Sequence, residues 1–287
     1  MTTTRDGASR FEALFAALDE KNEGAFVPFL MLNDPTAEDS MEIIRTVVEA
    51  GADVLELGVP FSDPVADGPT IQGSHIRALD NGATVDNSLN LVRQIREEFP
   101  DTPVGMLIYG NVPFTRGLDK FYEEFGAAGA DAILIPDVPV REGAPFAAAA
   151  EKAGVAPVFI APARASERTL EGVAKYSKGY IYAVSRDGVT GTEQESQTLG
   201  LDEVVANIQR YNGAPALLGF GISTPEHVAE AIAAGAAGAI TGSAITKIVN
   251  GYVSRETEDS PAVITDMEAL KKEITEYVSA MKAATKK

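Results

Sequence analysis

Apolar positions along the chain follow two alternating rhythms. Short, almost unbroken apolar runs occur at Phe26–Leu32, Val54–Gly58, Val104–Tyr109, Ala132–Ile135, Pro157–Ile160, Tyr180–Val184, Ala216–Gly219 and Ala239–Thr241. Runs of this kind suit strands covered on both faces. Between them, apolar residues fall at helical spacing, as in Ile43, Ile44, Val47 and Val48, or Leu89, Val92 and Ile95. A phrase ending in Ala-Gly precedes several runs, at Gly51, Gly129, Gly154 and Gly235, where glycine suits the left-handed residue that ends a helix. Eight alternating units predict an α/β chain folded as a (β/α)8 TIM barrel, one domain over residues 1–287. Phe11, Leu14, Phe15 and Leu18 predict an extra N-terminal helix plugging the barrel floor, and Met267, Leu270, Ile274, Tyr277, Val278 and Met281 a closing C-terminal helix. The competing architecture, an open doubly wound sheet, usually stops at five or six strands, and no G-x-G-x-x-G follows the first run.

Composition narrows the function. With 24 basic against 42 acidic residues the net charge is −18, which disfavours nucleic acid and anionic membranes as partners. Any phosphate site must then use local donors such as helix N-termini and backbone N–H groups. No apolar stretch is long enough to cross a bilayer, and the first twenty residues lack the order of a secretory signal. The absence of cysteine removes disulfides, thiolate nucleophiles and Cys-ligated metals, and makes a cytoplasmic location the expectation.

The second unit, V-L-E-L-G-V-P-F-S-D-P-V-A-D-G-P, is the richest in chemistry. Strand alternation turns Leu55, Leu57 and Val59 to the helices and Glu56 into the barrel, where desolvation raises a carboxyl pKa and suits it to acid and base work. The alternative, a glutamate held by a buried arginine, finds no arginine in any of the eight runs. In the following loop, Asp63 reads as a turn former, while Asp67 is a second carboxylate able to share acid and base roles.

The seventh and eighth runs lead into L-G-F-G-I-S-T-P-E and I-T-G-S-A-I. Ser223 with Glu226 reads as a capping box, Gly221 allows close approach of a ligand, and Gly242-Ser243 opens a short helix with free N–H groups. Phosphate sites in barrels commonly follow these two strands. After the sixth run, a polar, glycine-containing loop from Ser185 to Gly200 reads either as a mobile lid or as plain surface. His75 and His227 both fall within helical patterns, which argues against a histidine zinc site, and no lysine lies within a run to form a Schiff base. Carboxylate acid–base chemistry on a phosphorylated small molecule remains.

The segment LELGVPFSDPVADGPTIQ resembles the signature of the tryptophan synthase alpha chain family. The similarity continues through AFVPFLMLNDP, LIPDVPV, YIYAVSRDGVTG, ALLGFGIS and AGAITGSAI, in order along nearly the whole chain. The resemblance implies a (β/α)8 lyase that cleaves indole-3-glycerol phosphate to indole and glyceraldehyde 3-phosphate. It implies that Glu56 moves protons to indole C3 and from the glycerol hydroxyl, and that Asp67 hydrogen-bonds the indole N–H. It assigns Gly191, Gly221, Gly242 and Ser243 to the phosphate, Phe29 and Tyr182 to the indole pocket, and Thr190 to a lid closing on Asp67. It also implies a beta chain partner carrying pyridoxal phosphate in an αββα heterotetramer, with indole passed internally and no cofactor in this chain. A second reading makes the chain mainly an activator of its partner, slow on its own. Indole-glycerol-phosphate synthase, a third, lacks the lysine its ring closure needs. Asn33 departs from the family in a first loop where glycine is common.

Overall fold

The computed structural model describes residues 6–162, 164–184, 201–257 and 260–287. Its strands are β1 (Ala25–Met31), β2 (Leu55–Gly58), β3 (Val104–Leu107), β4 (Ala132–Leu134), β5 (Ala156–Val158) and β6 (Ile160–Ala161). They continue with β7 (Ile181–Val184), β8 (Ala216–Gly219), β9 (Gly238–Thr241), β10 (Val253–Ser254) and β11 (Val263–Ile264). The helices begin with α1 (Gly7–Glu20), α2 (Ala37–Glu49), α3 (Pro69–Asp80), α4 (Val85–Glu98), α5 (Asn111–Arg116) and α6 (Leu118–Ala128). They end with α7 (Ala144–Lys152), α8 (Glu167–Tyr176), α9 (Leu201–Arg210), α10 (Pro225–Ala233), α11 (Ser243–Asn250) and α12 (Met267–Ala283).

Strands β1 to β9 form one parallel sheet in the order β5-β4-β3-β2-β1-β9-β8-β7-β6. Its two ends, β5 and β6, are consecutive in the chain and separated only by Phe159, so they share the fifth position of the expected (β/α)8 barrel. The fifth run was expected as a single strand; it breaks at Phe159, whose carbonyl accepts from Tyr182 N–H at 3.2 Å while β5 pairs with β4. Strands β10 and β11 form a separate antiparallel hairpin that the apolar pattern did not foreshadow.

Two apolar layers follow from strand alternation. Leu55, Leu57, Val59 and Phe26 face outward and pack with Ile44, Val47, Val92 and Ile95 of the helices. Val27, Val54, Val158, Leu217 and Ile240 face inward, and Phe11, Phe15 and Leu18 of α1 join them as the expected floor plug. Helix α12 buries Leu270, Ile274, Val278 and Met281 and packs across α2 and α11. The four Ala-Gly glycines all have positive φ (107°, 110°, 68° and 93° in chain order), the conformation their place after a helix requires.

At the floor, Asp131 is buried and accepts from Arg10, from Arg96 and from the Val104 N–H at 2.8 Å. Asn33, where the family commonly has glycine, takes φ 63° and donates to Ser88 Oγ at 2.8 Å. Asparagine tolerates the left-handed region better than most residues, so this departure keeps the backbone shape.

Candidate active site

At the C-terminal end of the strands, a pocket of about 450 Å³, counting its open mouth, is lined by Phe29, Glu56, Asp67, Tyr182, Gly221, Gly242 and Ser243. These are all the sequence-derived candidates among the described residues; Thr190 and Gly191, with the rest of the loop 185–200, lie outside them. Leu107, Ile71, Phe220, Ile222 and Ile240 complete the pocket's lining. These apolar residues carry no chemical signal in sequence and are recognisable only once the strand ends converge.

Three strand glycines make room for the rings of Phe29, Tyr180 and Tyr182. A Cβ on Gly58 would stand 2.7 Å from Phe29 Cζ, one on Gly105 would stand 2.9 Å from Tyr180 Oη, and one on Gly219 would stand 2.2 Å from Tyr182 Oη. None of these distances is tolerable, so ring placement depends on the missing side chains.

Glu56 sits in register with Phe29 of β1 and Gly105 of β3 and is 1 % exposed. Its Oε1 accepts from the Tyr180 hydroxyl at 2.8 Å, while Oε2 has no hydrogen-bond partner among the described residues. Burial pushes its pKa up to about 7; the Tyr180 hydrogen bond opposes this rise and the negative Asp67 adds to it. No cation takes part, which removes the reading of an arginine-held glutamate among the described residues.

Asp67 ends the loop after β2, just before α3, with its N–H donating to the Pro64 carbonyl at 3.0 Å. Its buried Oδ2 accepts from the Tyr109 hydroxyl at 2.7 Å and lies 3.3 Å from His75 Nε2. Asp63 is exposed and bonds to the adjacent Ser62 hydroxyl, in keeping with a turn. Tyr109 was expected to end a strand, but β3 stops at Leu107 and the tyrosine turns over the loop carrying Asp67, stacked on Phe61 at 5.3 Å.

The opposite wall comes from the loops after β8 and β9. Phe220 and Gly221 both have positive φ, 69° and 76°. A phenylalanine there is strained, and such strain concentrates at ligand sites. Thr241 Oγ1 donates to the Ile222 carbonyl at 2.9 Å, and Tyr277 of α12 reaches the Thr241 hydroxyl at 2.9 Å and the Ser223 carbonyl at 3.3 Å. The cap of α10 is Thr224, whose hydroxyl accepts from His227 N–H, rather than the expected Ser223 with Glu226. Pro225 at the first helical position shifts the cap by one residue. Gly242 caps α11, whose first N–H groups have no acceptor within the helix and open beside the pocket.

The chain matches the sequence model for "Tryptophan synthase alpha chain" over residues 15–279. It is 70 % identical to the tryptophan synthase alpha chain of Corynebacterium efficiens, covering 97 % of this chain and 99 % of that one. The crystal structure of tryptophan synthase subunit alpha from Legionella pneumophila superposes with a TM-score of 0.81 at 27 % identity, over 96 % of this chain and 98 % of that one. The tryptophan synthase complex of Pyrococcus furiosus gives a TM-score of 0.76 at 28 % identity, over 91 % and 98 %. On the match of nearly its whole length and on this barrel, the chain belongs to the tryptophan synthase alpha chain family.

Proposed function

We propose that this chain, as the alpha subunit in tryptophan biosynthesis, is a carbon–carbon lyase that cleaves indole-3-glycerol phosphate by retro-aldol chemistry. One observation carries the reading most directly. Glu56 is buried in the pocket with one oxygen held by Tyr180, the other unpartnered, and a pKa of about 7. A carboxyl poised there can both give and take a proton near neutrality.

In the proposed sequence, protonated Glu56 delivers its proton to indole C3 while Asp67 accepts a hydrogen bond from the indole N–H and stabilises the cationic ring. The Glu56 carboxylate then takes the proton of the glycerol hydroxyl. The bond between C3 and the side chain breaks, its electrons return to the ring, and the carbonyl of glyceraldehyde 3-phosphate forms as indole leaves. Glu56 ends protonated, as it began. The tautomerised indole is its own electron sink, so the chemistry asks for neither metal nor Schiff-base lysine. Phe29 and Tyr182 would flank the ring. Gly221, Gly242 and Ser243 would meet the phosphate through backbone N–H groups, the local donors required by a chain of net charge −18. Thr190 and Gly191, outside the described residues, keep their proposed places at the lid and the phosphate.

We also propose a pyridoxal phosphate-carrying beta chain as partner in an αββα assembly in the cytoplasm. Val65 and Phe114, 72 % and 85 % exposed, support this reading. Val65 sits on the loop after β2 and Phe114 on α5, the short helix after β3, at the pocket's end of the barrel, where a partner receiving indole would dock. Among the described residues no helix is long and apolar enough to cross a membrane.

The test is indole release from indole-3-glycerol phosphate by the purified chain, with and without a beta chain, for the native protein and Glu56→Gln. The variant is expected to lose about 10²–10⁴-fold in rate. A variant within tenfold of the native rate would remove Glu56 from the chemistry. Folded native protein silent under both conditions would remove the lyase reading. Slow release alone with strong activation by the beta chain would favour the partner-activating description of the isolated chain.

A further inference from the structure

The proton transfers above leave His75 unused. It lies on the buried face of α3, eight residues after Asp67, and is 1 % exposed. Both ring nitrogens are engaged. Nδ1 faces the Phe61 backbone N–H at 3.0 Å, and Nε2 faces Asp67 Oδ2 at 3.3 Å. A backbone N–H can only donate, so Nδ1 must offer its lone pair and the proton of the neutral ring sits on Nε2. The main chain of Phe61 therefore selects the tautomer that donates to Asp67.

The same pattern repeats at Tyr109. Its hydroxyl accepts from the Ala66 N–H at 3.1 Å and donates to Asp67 Oδ2 at 2.7 Å. The loop carrying Asp67 is thus held at Phe61 and at Ala66 by the two side chains that grip its carboxylate. The His75 and Tyr109 rings meet edge-on at 6.1 Å, and Tyr109 stacks on Phe61, so the grip is also packed. A histidine serving only to fill space would not need both nitrogens on this one loop.

We infer that His75 is a positioning residue for Asp67. As the Nε2–H tautomer it fixes the rotation of the carboxylate and ties the Asp67 loop to α3, presenting the carboxylate to the substrate N–H in one orientation. The inference rests on the proposed role of Asp67 as acceptor of the indole N–H.

Two measurements on the full-length chain test it. The first is nitrogen NMR with labelled histidine, simplified because the chain has only two histidines. His75 is expected to show a protonated Nε2 and an unprotonated Nδ1; the opposite tautomer would overturn the inference. The second is steady-state indole release by His75→Asn and His75→Gln. The asparagine oxygen can replace Nδ1 as acceptor for Phe61 but cannot reach Asp67, whereas the glutamine amide can replace the Nε2 donor. His75→Asn is expected to lower kcat about tenfold, the effect of losing one hydrogen bond to a charged group, with KM and unfolding temperature nearly unchanged. His75→Gln should recover most of kcat. An unchanged kcat in His75→Asn, or a fall that glutamine does not rescue and that follows loss of stability, would overturn the positioning role. Asp67→Asn separates the two layers of argument. If it turns over at the native rate, the reading of Asp67 fails; if it is impaired while His75→Asn is not, only the role of His75 fails. The NMR result decides the tautomer should His75→Asn not fold.

Discussion

The Tyr180 hydroxyl donates to Glu56 Oε1 at 2.8 Å and is the force that opposes the upward drift of the Glu56 pKa. The two residues are 124 apart in sequence. In the proposed reaction the free enzyme must hold Glu56 protonated, so kcat/KM should fall as pH rises through about 7. Tyr180→Phe removes the donor to the carboxylate, raises the pKa further and should move this alkaline limb to higher pH. A pH profile of indole release checks it; a limb that stays or moves down would contradict the assignment.

Stability should carry the same signature with a definite sign. The folded-state pKa of Glu56 lies above the ordinary carboxylate value, so the folded form binds more protons between about pH 4.5 and 7. Native stability from this group is present below that window and lost as pH rises through it. Glu56→Gln has no such loss. The variant should match the native protein near pH 4 and exceed it by up to about 3 kcal/mol near pH 8. Denaturant unfolding at the two pH values measures the difference.

Glu56 could be found in sequence because strand alternation has period two. Flanking Leu55 and Leu57 claim the outer face, and one strand's own residues are enough to orient the glutamate. Its partner could not be found this way, since Tyr180 arrives from the other side of the ring. His75 and Tyr109 were invisible for the same reason: their meaning lies in a shared acceptor, not in a motif. The break at Phe159 and the cap at Thr224 depend on local hydrogen-bond competition that periodicity does not resolve. Asn33 looked like a departure until its φ showed that it preserves what glycine would do.

Gly219→Ala should damage the pocket without touching a reacting group. The added Cβ would stand 2.2 Å from Tyr182 Oη, so the ring must swing or β8 must shift. Overpacking of this kind costs roughly 1–3 kcal/mol. Indole release should show a raised KM together with a lowered kcat, and a crystal structure of the variant should show Tyr182 displaced. Unchanged kinetics would mean that Tyr182 does not shape the bound ring.

Asp131→Ala should act in the opposite way. It removes the buried acceptor shared by Arg10, Arg96 and the Val104 N–H at the barrel floor, far from the mouth. Leaving two guanidinium groups without their partner should cost roughly 3 kcal/mol, the lower end for a broken buried pair because both arginines partly reach solvent. Chemical denaturation should report this loss, while kcat measured well below the melting temperature should stay within about twofold.

The plug at the floor has a reach that its position conceals. Phe11 of α1 packs against the Tyr180 ring at 5.2 Å, and the far end of that ring holds Glu56. The chain's first helix thus buttresses its acid from beneath, as a wedge steadies a post. A change at Phe11, remote from any substrate atom, would register first as a drift in the proton affinity of a glutamate at the other end of the barrel.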